Sequence, residues 1–228
     1  MVSRQPRAIL WDMDGTLVDT EPYWMAAETA LVESFGGTWT HEDALQLVGN
    51  GLIDSAIILQ NAGVDMDAEA IISLLTDGVQ DALRTQGVPF RPGARELLQD
   101  LRSAGIPTGL VTMSLRRMAL SVVDLIEFQA FDIVVAGDDV TNPKPHPEPY
   151  LHAASLLEID IADAVVIEDS PTGLRAGIAS GAVALGVPHI VSLDHVGAHE
   201  LWPSLEGRTA ADLIELFDRK TSMTGATR

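Results

Sequence analysis

Ala8-Ile9-Leu10-Trp11-Asp12-Met13-Asp14-Gly15-Thr16 is an apolar run that ends abruptly in two carboxylates and a glycine. Consecutive apolar residues bounded in this way read as a strand buried on both faces, which is the habit of a parallel sheet. In extended backbone alternate side chains share a face, so Asp12 and Asp14 are expected to project together while Gly15 turns the chain. Two carboxylates so close are comfortable only if a cation stands between them or one keeps its proton. Surface acids do not ordinarily interrupt the end of an apolar strand, where charge must be paired or bound to metal.

Working outward, four more apolar runs stop at polar or glycine residues: 106–111, 131–136, 164–167 and 182–187. Helical patterns over 94–104, 115–128, 149–157 and 171–180 lie between or before them. Strand and helix alternating this way predict an α/β fold, a Rossmann-like parallel sheet flanked by helices. Ligands of such sheets bind beyond the carboxyl ends of the strands. Those ends carry Asp12, Thr112, Gly137-Asp138-Asp139 and Glu168-Asp169, which the topology would gather into one crevice.

The alternation fails over 19–88, where helical patterns at 24–35, 41–47, 52–60 and 67–84 are separated by Gly36-Gly37, Gly49-Asn50-Gly51 and Asn61-Ala62-Gly63. An all-helical insertion after the first strand reads as a small separate bundle. The division expected is therefore a core of 1–18 plus 89–228 and a helical cap of 19–88. The last helix is placed at 210–217, with 221–228 as a frayed tail.

The chain has 228 residues, 46% of them hydrophobic, and its 33 Asp plus Glu against 14 Lys plus Arg give a formal charge of −19. Nucleic acid and anionic membranes are held by clustered Lys and Arg, so neither is an expected partner. No run approaches the 18 or so apolar residues of a membrane helix, and residues 1–7 offer no apolar stretch for a secretion signal. Without cysteine there is no disulfide and no thiol nucleophile. A cytoplasmic protein, monomeric or weakly dimeric, is expected.

Lysine is rare here: Lys144 and Lys220 stand among twelve arginines. Lys144 lies in Thr141-Asn142-Pro143-Lys144-Pro145-His146-Pro147-Glu148-Pro149, where alternate prolines stiffen the backbone and present the ammonium at little entropic cost. Thr112, Met113 and Ser114 precede a helix, a place suited to phosphoryl oxygens and equally to ordinary capping. Glu168-Asp169 could join Asp12 and the region of Asp14 in an oxygen shell for Mg²⁺. His195 and His199 stand four apart but lack a third zinc ligand, and Gly49-x-Gly51 lacks the third glycine of a dinucleotide site.

Asp12-x-Asp14-Gly15-Thr16, Thr112, Lys144 and Glu168-Asp169, in this order and each at a strand end, resemble the four motifs of the haloacid dehalogenase superfamily. The likeness extends through Leu17-Val18-Asp19-Thr20-Glu21-Pro22 and the stretch 137–150, and the helical insertion resembles the cap of the branch holding β-phosphoglucomutase and phosphoglycolate phosphatase-like enzymes. The resemblance implies that Asp12 is a nucleophile forming an aspartyl-phosphate and Asp14 the general acid and base. It implies that Thr112 and the N–H of Met113 hold phosphoryl oxygens and that Lys144 neutralises charge. Asp12, the Asp14 carbonyl and Asp169 would bind Mg²⁺, with Glu168 behind them as a supporting ligand.

Members that attack carbon lack the acid/base aspartate, so Asp14 favours phosphoryl transfer. The mutase's cap supplies a histidine and an arginine; this chain has Trp24 and Leu52 at the corresponding positions, which favours water as the acceptor. The reading is thus a Mg²⁺-dependent phosphatase acting on a small phosphorylated metabolite of the sugar or polyol class. The alternatives are a sugar-phosphate mutase or a non-catalytic binding protein. Tyr23, Trp24 and Asn50 are expected to face the crevice from the cap, although Trp24 and Trp39 also suit packing.

Overall fold

A computed structural model describes residues 4–48 and 50–225. The sheet has six parallel strands: β1 (Ala8–Trp11), β2 (Thr108–Val111), β3 (Ile133–Val135), β4 (Ala164–Glu168), β5 (Val183–Gly186) and β6 (Glu200–Leu201). Their order is β3-β2-β1-β4-β5-β6, so β1 is central and the strand order reverses there. The sheet expected from the apolar runs is present: β1 coincides with its run, β2, β3 and β5 are shorter at their ends by one or two residues, and β4 runs one residue further, to Glu168. The additional strand, β6, has only two residues and left no run in the sequence.

Alternation along the strands explains why the runs are so largely apolar. Ile9 and Trp11 pack on one side of the sheet with Leu110, Ile167 and Leu185. Ala8 and Leu10 pack on the other with Val111, Val135 and Val166. Both faces are covered, so a polar residue in a strand must find a partner, as Thr108 does by donating to the Ala130 carbonyl at 2.6 Å.

The register positions the chemistry. Trp11 lies opposite Ile167 on β4 and Leu110 on β2, so Asp12 falls level with Glu168 and Val111. Residues that are far apart in sequence thus meet at one carboxyl edge, on the strand where the order reverses.

Between β1 and the next core helix run α1 (Glu21–Ser34), α2 (His41–Leu45), α3 (Leu52–Asn61) and α4 (Ala68–Gln86). Thr40 opens α2 with a reciprocal capping box to Asp43. α4 is amphipathic and buries Ile71, Ile72, Leu75, Val79 and Leu83. This apolar face continues through Trp24, Leu31 and Leu59 into the cluster that covers one side of the sheet. Gly49, expected in the turn before α3, lies outside the described residues.

The remaining helices are α5 (Ala94–Ser103), α6 (Arg116–Asp124), α7 (Glu148–Leu156), α8 (Pro171–Ser180) and α9 (Ala210–Gly225). α9 corrects the expectation of a frayed tail from 221, because the helix continues to Gly225. Nothing breaks it earlier: Thr221 donates its hydroxyl to the Phe217 carbonyl at 2.9 Å, and Arg219 and Lys220 both pair with Glu200 of β6. Residues 226–228 of that expected tail lie outside the described residues. Among the described residues no helix is long and apolar enough to cross a membrane.

Candidate active site

At the end of β1 the chain leaves the strand and turns within a few residues. The N–H of Gly15 donates to the Val18 carbonyl at 2.7 Å, and Leu17 and Val18 both donate to the Met13 carbonyl. Asp12 and Asp14 therefore reach the same cavity through a turn, not through the continued strand alternation the sequence suggested. Gly15 sits at φ +86°, and a Cβ there would lie 2.2 Å from Asp169 Oδ2. Only glycine serves both the turn and the close approach of that carboxylate.

Lys144 enters from the proline-stiffened loop, its side chain 4% exposed. Its Nζ stands 2.7 Å from Asp12 Oδ1, 2.7 Å from Glu168 Oε1 and 2.8 Å from the Val111 carbonyl, so each ammonium proton has an acceptor. Burial opposes the charge, but the Asp12 and Glu168 carboxylates outweigh it and hold Lys144 above the ordinary lysine range. The other Glu168 contacts are the Tyr150 hydroxyl, donating to Oε1 at 2.6 Å, and the Ser170 hydroxyl, donating to Oε2 at 3.3 Å. Gly173 leaves Glu168 its room, since a Cβ there would fall 1.9 Å from Oε1.

Asp14 is held differently. Its oxygens accept from the hydroxyls of Thr20 and Ser114, the latter at 2.7 Å, and from the indole N–H of Trp24 at 3.4 Å. No cation pairs with it among the described residues. Burial, seconded by the Asp12 charge and opposed by these donors, pushes its carboxyl up. The two aspartates thus have separate environments, one against an ammonium and one among neutral donors.

Asp12, Glu168 and Asp169 each offer a carboxylate oxygen within 4.8 Å of the others. Asp169 also accepts from Thr16 at 3.1 Å. Three carboxylates face one ammonium, which leaves two negative charges to be balanced if all are ionised. Accordingly burial and the neighbouring Asp12 push Asp169 well up and Glu168 to about 6. Oxygen donors with a surplus of negative charge suit a hard divalent cation.

The phosphoryl-binding candidates lie beside this cluster. Thr112 is buried, accepts the Ser114 N–H at 3.0 Å and lies 3.4 Å from Asp14 Oδ2. Met113 lines the cavity and its sulfur accepts the Lys144 N–H at 3.4 Å.

From the helical side, Trp24 and Asn50 line the cavity, but Tyr23 does not. Adjacent helical residues point about 100° apart, and with Trp24 turned inward the Tyr23 hydroxyl reaches the Gly87 carbonyl at 3.3 Å instead. Trp24 is nearly buried in the apolar cluster while its N–H points at Asp14, so it both packs and contacts the site. Leu52 lines the cavity as an apolar wall. His199, weighed for zinc, lies on no helix, and its Nδ1 accepts the Ala184 N–H at 3.0 Å.

Sequence reasoning missed Thr16, Thr20, Ser114 and Tyr150 as positioning groups, and Glu21 and Glu28 as cavity-lining carboxyls. Ser114 could have been found, since a second hydroxyl two residues beyond Thr112 at a strand end lies close to the same crevice. Tyr150 carried no signal, because an aromatic residue among prolines reads as packing.

The sequence model of the haloacid dehalogenase-like hydrolases matches residues 9–187. The phosphorylated carbohydrates phosphatase of Thermotoga maritima is 31% identical over 184 residues, 80% of this chain and 85% of that protein. Hexitol phosphatase A of Escherichia coli is 30% identical over 188 residues, covering 79% and 82% respectively. The crystal structure of CbbY from Rhodobacter sphaeroides in complex with phosphate superposes with a TM-score of 0.82 at 25% identity, over 92% of this chain and 99% of that one.

Proposed function

The chain belongs to the haloacid dehalogenase-like hydrolases, and from that premise we propose that it is a Mg²⁺-dependent phosphatase of small sugar or polyol phosphates. The observation that carries the reading is the division of labour between Asp12 and Asp14. Asp12 Oδ1 is engaged by Lys144, whereas Asp14 stands among neutral donors on the same cavity. A nucleophile and a proton carrier need environments that differ in this way.

In the proposed reaction a free oxygen of Asp12 attacks phosphorus and the bond to the ester oxygen breaks. Asp14 gives its proton to that leaving oxygen. Asp14 then takes a proton from water as it attacks the aspartyl-phosphate, releasing phosphate and restoring Asp12. Lys144 holds the Asp12 carboxylate in place and offsets charge developing beside it. Thr112, Ser114 and the backbone around Met113 line the space for phosphoryl oxygens.

Asp12, Asp169 and the Asp14 carbonyl would hold Mg²⁺, with Glu168 behind them because Lys144 and Tyr150 already engage it. When bound, the ion neutralises the phosphoryl oxygens and the Asp12 carboxylate so that like charges can meet. Residues 19–88 would act as a cap over the crevice and keep bulk water from the intermediate.

A mutase would have to hold a second phosphate against the cap side. There Trp24 directs its N–H at Asp14 and Leu52 is apolar, which supports water as acceptor. Phosphate release from a panel of esters with Mg²⁺, abolished by Asp12→Asn, is the expected result. Isomerised product without net phosphate would replace this reading with the mutase, and no turnover of any ester would refute both.

A further inference from the structure

The wall of the cavity facing the phosphoryl site is unusual in its charge. It is formed by Glu21, Trp24, Glu28, Leu47, Leu52 and Ile72, with smaller polar neighbours. Among the described residues lining the whole cavity, Lys144 is the one cation, and its three protons are already taken. Glu28 is 5% exposed, and its Oε2 accepts the indole N–H of Trp39 at 3.3 Å. Trp24 stands about one turn of α1 from each glutamate, and together they make an acidic and aromatic face.

Resting on the phosphatase reading above, we propose that Glu21 and Glu28 are specificity-determining residues that admit a leaving alcohol bearing hydroxyl or ammonium groups and turn away one bearing a second anion. A carboxylate or phosphate tail would lose its hydration in this wall and find no counter-charge there. Hydroxyls fare well in either protonation state, since an ionised carboxyl accepts from them and a neutral one also donates. Burial, with no cation to oppose it, pushes the Glu21 carboxyl to about 8 and that of Glu28 to about 7. An ammonium on the alcohol would supply the missing partner. Trp24 presents an apolar ring face for the carbon skeleton of a sugar or polyol.

The test uses four esters on one carbon framework, at fixed Mg²⁺: glucose 6-phosphate, glucosamine 6-phosphate, 6-phosphogluconate and fructose 1,6-bisphosphate. The full-length chain is expected to show kcat/KM for the two anionic-tailed esters about tenfold or more below that for the other two. Assayed at about pH 9, where both glutamates are ionised, Glu21→Gln with Glu28→Gln, which keep shape and the bond to Trp39, should shrink that ratio and raise KM for the hydroxylated esters. Melting temperature would confirm that the variants fold. Equal turnover of all four esters, or a ratio unmoved in the folded double variant, overturns the charge filter while leaving the phosphatase intact. Failure to hydrolyse even p-nitrophenyl phosphate overturns the phosphatase reading, and the filter with it.

Discussion

Lys144 shows how one side chain organises a site. Its ammonium is the shared partner of Asp12 and Glu168, both almost wholly buried. Removing one member of such a group leaves the others as uncompensated buried charge, which costs about 3–5 kcal/mol. Lys144→Met is therefore expected to lower the melting temperature strongly near pH 8, and less near pH 5, where the orphaned Glu168 can take a proton. A melting temperature unchanged at both pH values would show that the charges are relieved by solvent instead. The importance of this lysine was legible in the sequence because the chain has only one other and because prolines flank it. Its second partner was not legible, since nothing in the order of residues says that Glu168, not Asp169, faces the ammonium.

At the scale of elements, the turn after β1 and the first helix of the insertion carry separate consequences. Gly15→Ala would place a methyl within 2.2 Å of Asp169 Oδ2 on backbone that disfavours side chains. Asp169 must move, so phosphatase activity is expected to fall by more than about tenfold and the Mg²⁺ concentration for half-activity to rise; normal Mg²⁺ dependence would sink this account of the turn. On α1, burial, eased by the Trp39 hydrogen bond, pushes the Glu28 carboxyl from its ordinary 4.5 to about 7. The folded chain then keeps a proton that the unfolded chain releases. That contribution to stability is complete below about pH 4.5 and is lost as pH rises through about 7. Glu28→Gln removes it, so the variant should gain on the parent by up to about 3 kcal/mol between pH 4 and pH 8. Parallel melting curves would refute it. Elements with unbroken periodicity, such as β1 and α4, were readable nearly to the residue. β6 was not, because two residues carry no period, and the end of α9 was not, because its last turns are held by Glu200 from elsewhere in the fold.

Across the whole molecule, strand order does what no local pattern could announce. Placing β1 between β2 and β4 brings Asp12, Thr112 and Glu168 to one edge, and the sequence signalled this only through polar residues recurring at the ends of apolar runs. The relation of the helical insertion to the sheet was hidden, because it depends on contacts between distant surfaces. The most specific of these is at Arg117 on α6. It donates to the Ser73 carbonyl at 2.8 Å, to Gln80 Oε1 at 2.6 Å and to Asp77, all on α4, while Gln80 donates back to the Ser121 hydroxyl at 2.6 Å. If residues 19–88 open and close over the crevice, this network forms on closing and must break on opening. Gln80 is buried but the ion pair of Arg117 with Asp77 is exposed, so the pair adds little to global stability, typically under about 1 kcal/mol. Their effect should fall on the balance between open and closed forms, which sets apparent affinity. Arg117→Ala is accordingly expected to raise KM by about three- to tenfold while shifting the melting temperature by no more than about 3 °C. Steady-state kinetics beside a melting curve decides the matter: a large fall in melting temperature with KM unmoved would make Arg117 a structural clamp and leave closure to other contacts.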